Sequence, residues 1–367
     1  MARWWLVGSV LTAILSLGGG VLAQPATLDK GQVVTVTVHG AALEGNVLGV
    51  AADRAVTLYL PPGYEDGSGA RYPVVYLLHG LSGSNIVWLP QSVLYGRDVP
   101  GVTDRLIASG AIRPMIVVMP DASTPYGACF YLDSPVCGGW DTFLAQELVA
   151  FVDEHYRTTA TPTGRAIAGH DVGGFGALVL AMEHPDVYGA AYAMSPVNVA
   201  LDDPSASELY SAEAFAMTEP DRALGLSPSS YMARAQLAMG AVASPAPERP
   251  PYFVALPCEL VNGQPHWLDT VWQAWTARMP IHMLDRYGPN LLELRALGLD
   301  TGTAEKLRET TTGTQALHAA LTRAGIPHRF ELYEGSFLDD VNGRLASIVL
   351  PFLSDALMGS GGEAAGR

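Results

Sequence analysis

The segment Gly169-His170-Asp171-Val172-Gly173-Gly174 lies between a short apolar stretch, Arg165-Ala166-Ile167-Ala168, and an apolar helical stretch from Phe175 to Glu183. Strand, glycine-rich turn and helix in that order make a nucleophile elbow. One residue of such a turn is held at positive φ, and its neighbours must lack Cβ atoms. Here the elbow residue is Asp171. Acyl transfer of the serine type needs a hydroxyl, an imidazole to take its proton and a carboxylate to orient the imidazole. An aspartate supplies no hydroxyl. It can attack an alkyl carbon through its carboxylate, or it can simply fill the place where negative charge was once stabilised.

The elements that must hold this turn are legible as alternating strands and helices. Val33 to Val38 and Ala55 to Leu60 are rich in β-branched residues and read as antiparallel strands opening a sheet. Pro73 to Leu78 and Met115 to Met119 are continuous apolar runs, as expected of strands buried on both faces. Tyr188 to Met194, Leu294 to Asp300 and His328 to Leu332 follow as further strands. Leu144, Leu148, Phe151 and Val152 sit at helical spacing, and helices are expected over Tyr231 to Ala241, Thr314 to Ala324 and Ile348 to Leu357. This alternation predicts an α/β fold with a doubly wound, mostly parallel sheet. Val197 to Arg249, rich in alanine, proline and serine, breaks the pattern and, extended by the Trp267, Trp272 and Trp275 stretch, reads as a helical, cap-like insertion over about 197–282.

With these residues in view, the chain resembles the Putative esterase family of α/β-hydrolases. That family includes S-formylglutathione hydrolases, feruloyl and acetyl-xylan esterase domains and antigen 85 mycolyltransferases. The likeness is carried by Tyr59-Leu60-Pro61-Pro62-Gly63-Tyr64, by Tyr72 to Gly80, by Gly164 to Leu178, by Ser195-Pro196 and by Leu350-Pro351-Phe352-Leu353. It runs from about Val33 to Leu357. The resemblance implies an α/β-hydrolase fold and a triad in the order nucleophile, acid, base.

Mapped residue by residue, the nucleophile position is Asp171 and the acid position is Glu305. The base position, after Tyr333-Glu334-Gly335-Ser336, is Phe337. The oxyanion-hole donors would be the backbone amides of Leu81 and Val172, and these would hold an Asp171 carboxylate ionised. A benzyl group carries no proton, so an ordinary serine-esterase cycle is not expected. The expectation is a ligand-binding pseudoenzyme whose ligand is a small ester, acyl or glycosidic molecule.

The alternative is a hydrolase of ester or related bonds. It would use Asp171 as nucleophile or base, as haloalkane dehalogenases and epoxide hydrolases use an aspartate in a similar turn, or it would recruit a substitute base. His266 is the loop histidine that could reach the site. His170, at a strand end, should point away from Asp171, and His318 is expected in a helix. Asp171, Glu305 and Asp339 or Asp340 could bracket a cation, although calcium asks for about six to eight oxygens. No metal and no cofactor is expected. Trp140, Trp267, Trp272 and Trp275 could line a pocket or simply pack.

The whole chain has 367 residues, 49% of them hydrophobic and 16% charged, enough for a large core in one domain over 24–357. Its formal net charge of −15 argues against nucleic acid as a partner. Arg3, an apolar run from Trp4 to Leu17 and Val21-Leu22-Ala23 have the order of a signal peptide over 1–23. Cleavage is expected after Ala23, giving a secreted or periplasmic protein with no membrane contact after cleavage; an uncleaved anchor is the alternative. Residues 358–367 read as a flexible tail. Of three cysteines, Cys129 and Cys137 flank a short loop that a disulfide could close, leaving Cys258 as a buried thiol. The sequence does not specify an oligomeric state.

Overall fold

The computed structural model describes residues 29–92, 97–201, 207, 231–262 and 264–357. The expected signal segment 1–23 and tail 358–367 lie outside the described residues.

Eight strands build the central sheet: β1 (Gln32–His39), β2 (Asp53–Leu60), β3 (Val74–Leu78), β4 (Ile116–Pro120), β5 (Arg165–His170), β6 (Ala190–Met194), β7 (Ala296–Gly302) and β8 (Arg329–Tyr333). Their spatial order is β1-β2-β4-β3-β5-β6-β7-β8. β1 pairs antiparallel with β2, and β2 antiparallel with β4. From β4 to β8 every pairing is parallel. All five residues of β3 and of β4 are buried, which is what a strand covered on both faces requires.

The helices named here are α1 (Val99–Ala108), α2 (Leu148–His155), α3 (Val172–Glu183), α4 (Tyr231–Ala243), α5 (Asp269–Thr276), α6 (Pro280–Leu291), α7 (Arg308–Arg323) and α8 (Leu350–Ala356). Because strand side chains alternate, the apolar strands feed two cores. Val75, Leu77, Val117, Met119, Ala166 and Ala168 pack with Val99 and Val102 of α1 and Leu350 and Leu353 of α8. On the other face Val74, Tyr76, Leu78, Ile116, Val118 and Ile167 meet Leu148 and Val152 of α2, the apolar residues of α3, and Leu317 and Leu321 of α7.

The expected strands lie where the apolar runs fall. The expected helix from Thr314 instead begins six residues earlier, at Arg308. Its first turns bury Thr310, Gly313 and Thr314, small and polar residues that hide a hydrophobic stripe. Within the 197–282 stretch, the described residues form α4, a two-stranded hairpin of Cys258–Val261 with Gln264–Trp267, α5 and the start of α6. Cys129 and Cys137 are joined in a disulfide, and Cys258 is a buried free thiol.

Candidate functional site

The site begins where β5 runs into α3. Asp171 sits between them at φ 62° and ψ −122°, and its carbonyl accepts the amides of Gly174 and Phe175 to start the helix. The turn closes only with glycines around it. A Cβ on Gly169 would run into the Gly173 carbonyl oxygen, and one on Gly173 into the Leu78 carbonyl oxygen. Holding a non-glycine residue at positive φ costs energy, and the close packing of β3, β5 and α3 over-determines it.

The Asp171 side chain is 3% exposed. The Leu81 amide donates to its Oδ2 at 2.9 Å, and the Tyr231 hydroxyl donates to its Oδ1 at 3.0 Å. A Cβ on Gly80 would stand 2.6 Å from Oδ2, so the carboxyl fits against that turn only because residue 80 is glycine. The Leu81 turn is itself braced. The His79 ring donates from Nδ1 to the Gly80 carbonyl at 2.7 Å and accepts the Ala122 amide on Nε2 at 2.9 Å. Tyr131 donates to the His79 carbonyl at 2.6 Å.

Burial raises the pKa of Asp171 above the ordinary aspartate value. The Leu81 amide, the Tyr231 hydroxyl, the Val172 amide and the Arg97 charge all pull in the opposite direction. The expected pull of the amides toward the ionised form is present, and loss of hydration opposes it more strongly.

The residues at the two other expected triad positions are also brought to this place. Glu305, just after β7, accepts the Gly302 amide on Oε1 at 2.9 Å and the Phe337 amide on Oε2 at 2.7 Å. Its carboxylate thus grips the backbone of the loop that carries Phe337. Asp171, Glu305 and Phe337 line one cavity of about 360 Å³ together with Ser195, Val197, Tyr231, Met232, Lys306, Leu307 and Thr310. A second cavity of about 70 Å³ lies beside it, bordered by Leu81, Arg97, His170, Asp171, Tyr231 and Phe337 among others.

All nine histidines lie within the described residues, and none hydrogen-bonds Asp171. His170 does not turn its ring away from the site, as expected, but stacks on Phe337 with ring centres 5.5 Å apart and borders the small cavity. Arg97 donates to its Nδ1 at 3.3 Å, and its Nε2 lies 2.6 Å from the Phe337 carbonyl oxygen. Those partners fix a neutral ring with both nitrogens engaged. Burial, then the Arg97 and Arg344 charges, hold its pKa well below the imidazole range. His79 is likewise held down, to about 4, by burial. His266 is exposed on the Cys258–Trp267 hairpin and lines neither cavity, and His318 pairs with His328 at 2.7 Å.

Asp339 caps Ser336, and Asp340 accepts the Gly343 amide, so neither carboxylate turns toward Asp171 and Glu305 to complete a cation site. Among the described residues the converging His, Asp and Glu ligand atoms belong to Asp141, Glu183 and His184, at the far end of α3 from Asp171. The tryptophans line neither cavity. Trp140 and Trp275 are buried, the latter donating to Ser244 Oγ at 2.7 Å, and Trp267 packs edge-on against Trp272.

Behind the cavity wall lies a polar network that no sequence motif announced. Asp300 of β7 is fully buried and paired with Arg344. Arg344 also donates to the Tyr333 hydroxyl at 2.8 Å, and that hydroxyl is 2.7 Å from Ser195 Oγ. Burial raises the pKa of Asp300, with Arg344 opposing it. Tyr231 and Arg97 were equally invisible. Each comes from a segment distant in sequence, and nothing in its own neighbourhood marks it.

The family model described as Putative esterase matches residues 49–337. An esterase of Mycobacterium tuberculosis is 28% identical over 206 residues, covering 50% of this chain and 41% of the relative. An endo-1,4-beta-xylanase/feruloyl esterase of Xylanibacter ruminicola is 30% identical over 139 residues, covering 37% of this chain and 18% of the relative. The matches thus span less than half the length of these curated relatives. Among solved structures, a ferulic acid esterase superposes with a TM-score of 0.61 at 23% identity, covering 89% of this chain and 100% of that one. An S-formylglutathione hydrolase from Agrobacterium tumefaciens superposes with a TM-score of 0.54 at 17% identity, covering 91% and 95%. At such identities the likeness is one of fold, and the fold is that of the α/β-hydrolases.

Proposed function

Since the chain belongs to the Putative esterase family of α/β-hydrolases, we propose that it is an exported family member that binds a small organic molecule and does not turn over esters by the serine mechanism. The observation that carries this reading is the hydrogen bond from the Leu81 amide to Asp171 Oδ2. In a serine esterase that amide faces the oxygen that becomes negative in the tetrahedral intermediate. Here a side-chain oxygen already occupies the donor, so an incoming carbonyl finds its place taken. Phe337 at the base position removes the proton carrier as well. His170, which borders the small cavity with Asp171, has both nitrogens engaged.

A binding role is supported by the cavity that remains. At about 360 Å³, with Val197, Met232, Leu307 and Phe337 in its wall, it falls within the size range of small-ligand sites. The similarity to proteins described as feruloyl or ferulic acid esterases makes aromatic groups a reasonable shape to try. Export rests on the order of residues 1–23 alone.

The reading is tested by intact-protein mass spectrometry after incubation with an aryl ester, an alkyl halide and an epoxide. The unmodified mass is expected with all three. A covalent adduct mapped to Asp171 would identify a nucleophile and end the binding-only reading.

A further inference from the structure

We infer that the cavity beside Asp171 selects a ligand with a cationic amine head on an apolar body, the charge reverse of the carboxylate or ester group that an open oxyanion hole would accept. This rests on the reading of the site as one that binds without turnover, and it names the chemical class of the ligand. Three observations support it.

The first is occupancy. An amide donor pointing into a pocket attracts carbonyl and carboxylate oxygens, but the Leu81 amide is already satisfied by Asp171 at 2.9 Å. A ligand oxygen brought to the same place would meet a second oxygen rather than a donor. The Tyr231 hydroxyl is likewise spent on Asp171, at 3.0 Å.

The second is the sign of what faces the cavity. Two carboxyl groups, Asp171 and Glu305, line it. Against them stands Lys306, whose side chain is exposed to water, where a charge is screened and acts weakly. The buried Arg97 guanidinium borders the small neighbouring cavity and does not line the large one. A carboxyl group has lone pairs beyond those used by two donors, so Asp171 can still accept from an ammonium. Loss of hydration makes a cationic partner worth more beside Asp171 than at the surface.

The third is shape. Apart from the Ser195 and Thr310 hydroxyl residues, the remaining wall, from Val197, Met232, Leu307, Phe337 and Tyr231, suits an aromatic or branched aliphatic body of modest size, and its two aromatic rings are compatible with a nearby cation.

The test uses two probes with the same body and opposite charge, phenethylamine and 3-phenylpropionate, titrated by calorimetry into the mature chain at pH 8. Phenethylamine is expected to bind at least about tenfold more tightly, which corresponds to about 1.4 kcal/mol. The Asp171→Asn protein, checked for folding by circular dichroism, is expected to lose that preference while binding 3-phenylpropionate no more weakly. Leu307→Trp narrows the cavity without touching Asp171 and is expected to weaken both probes.

Equal or tighter binding of the carboxylate would overturn the inference. So would amine binding that survives either substitution undiminished, or no binding of either probe at millimolar concentration. These results are separable from failure of the binding-only reading, which is decided by covalent adducts at Asp171 and not by the charge of the ligand.

Discussion

A carboxyl group at the elbow changes the energetics of the turn as well as its chemistry. Asp171 is buried, and its pKa is raised relative to the unfolded chain, where it would be about 3.9. The folded protein therefore holds this proton more tightly. The contribution of Asp171 to stability falls as pH rises from about 4 through the folded value, because the folded state must then bury a charge that the unfolded state hydrates. Asparagine keeps the shape and carries no charge. Asp171→Asn is expected to be more stable than the wild type at neutral pH, with the gap closing as pH falls toward 4. Chemical denaturation at several pH values measures it. A gap that widens on acidification would reverse the assigned sign.

The three expected triad positions gather around one cavity, which allows a constructive experiment on the same residues. Asp171→Ser with Phe337→His, with or without Glu305→Asp, should give measurable hydrolysis of p-nitrophenyl acetate. A restored base is worth about 10²–10⁴-fold. A folded triple variant that neither hydrolyses the ester nor forms an acyl-enzyme would count against the assignment of those positions.

At the scale of elements, β6, β7, β8 and the helical turn Val341–Arg344 are tied together by a buried charge pair as well as by strand pairing and apolar packing. Arg344 pairs with fully buried Asp300 and donates to Tyr333. Removing one partner strands the other without hydration, so Arg344→Ala is expected to cost about 3–5 kcal/mol. Adding Asp300→Asn should recover part of that loss. A single variant that costs under about 1 kcal/mol in denaturant unfolding would mean that the pair is hydrated or replaceable.

The same elements mark where a reading of the sequence stops. Val74–Leu78 and Ile116–Pro120 announce themselves because a strand buried on both faces must be apolar throughout. The elbow announces itself because only glycine tolerates the contacts at 169 and 173. The start of α7 does not, since its buried face there is made of Thr310, Gly313 and Thr314. The Arg344–Asp300 pair and the donation of Tyr231 to Asp171 join positions 44 and 60 residues apart. Pairings of that kind leave no periodicity to detect. His170 was misjudged for a related reason: strand alternation places its Cβ, but the height at which its ring meets Phe337 is set by a loop 167 residues away.

Taken whole, the molecule is an acidic α/β-hydrolase-fold protein with net charge −15. Among its described residues no helix is long and apolar enough to cross a membrane. The eight-stranded sheet, the elbow at the end of β5 and the cavity above the parallel strands are those of an esterase framework. Asp171, Glu305 and Phe337 stand beyond the ends of its parallel strands, where function resides in this kind of fold. The central claim is that a carboxyl group in place of the attacking hydroxyl, and a phenyl ring in place of the base, leave the framework without acyl transfer. The most direct measurement is the steady-state hydrolysis of p-nitrophenyl acetate by the purified protein beside its Asp171→Ala variant. Both proteins are expected to match the buffer blank; turnover by the wild type that the substitution abolishes would contradict the claim.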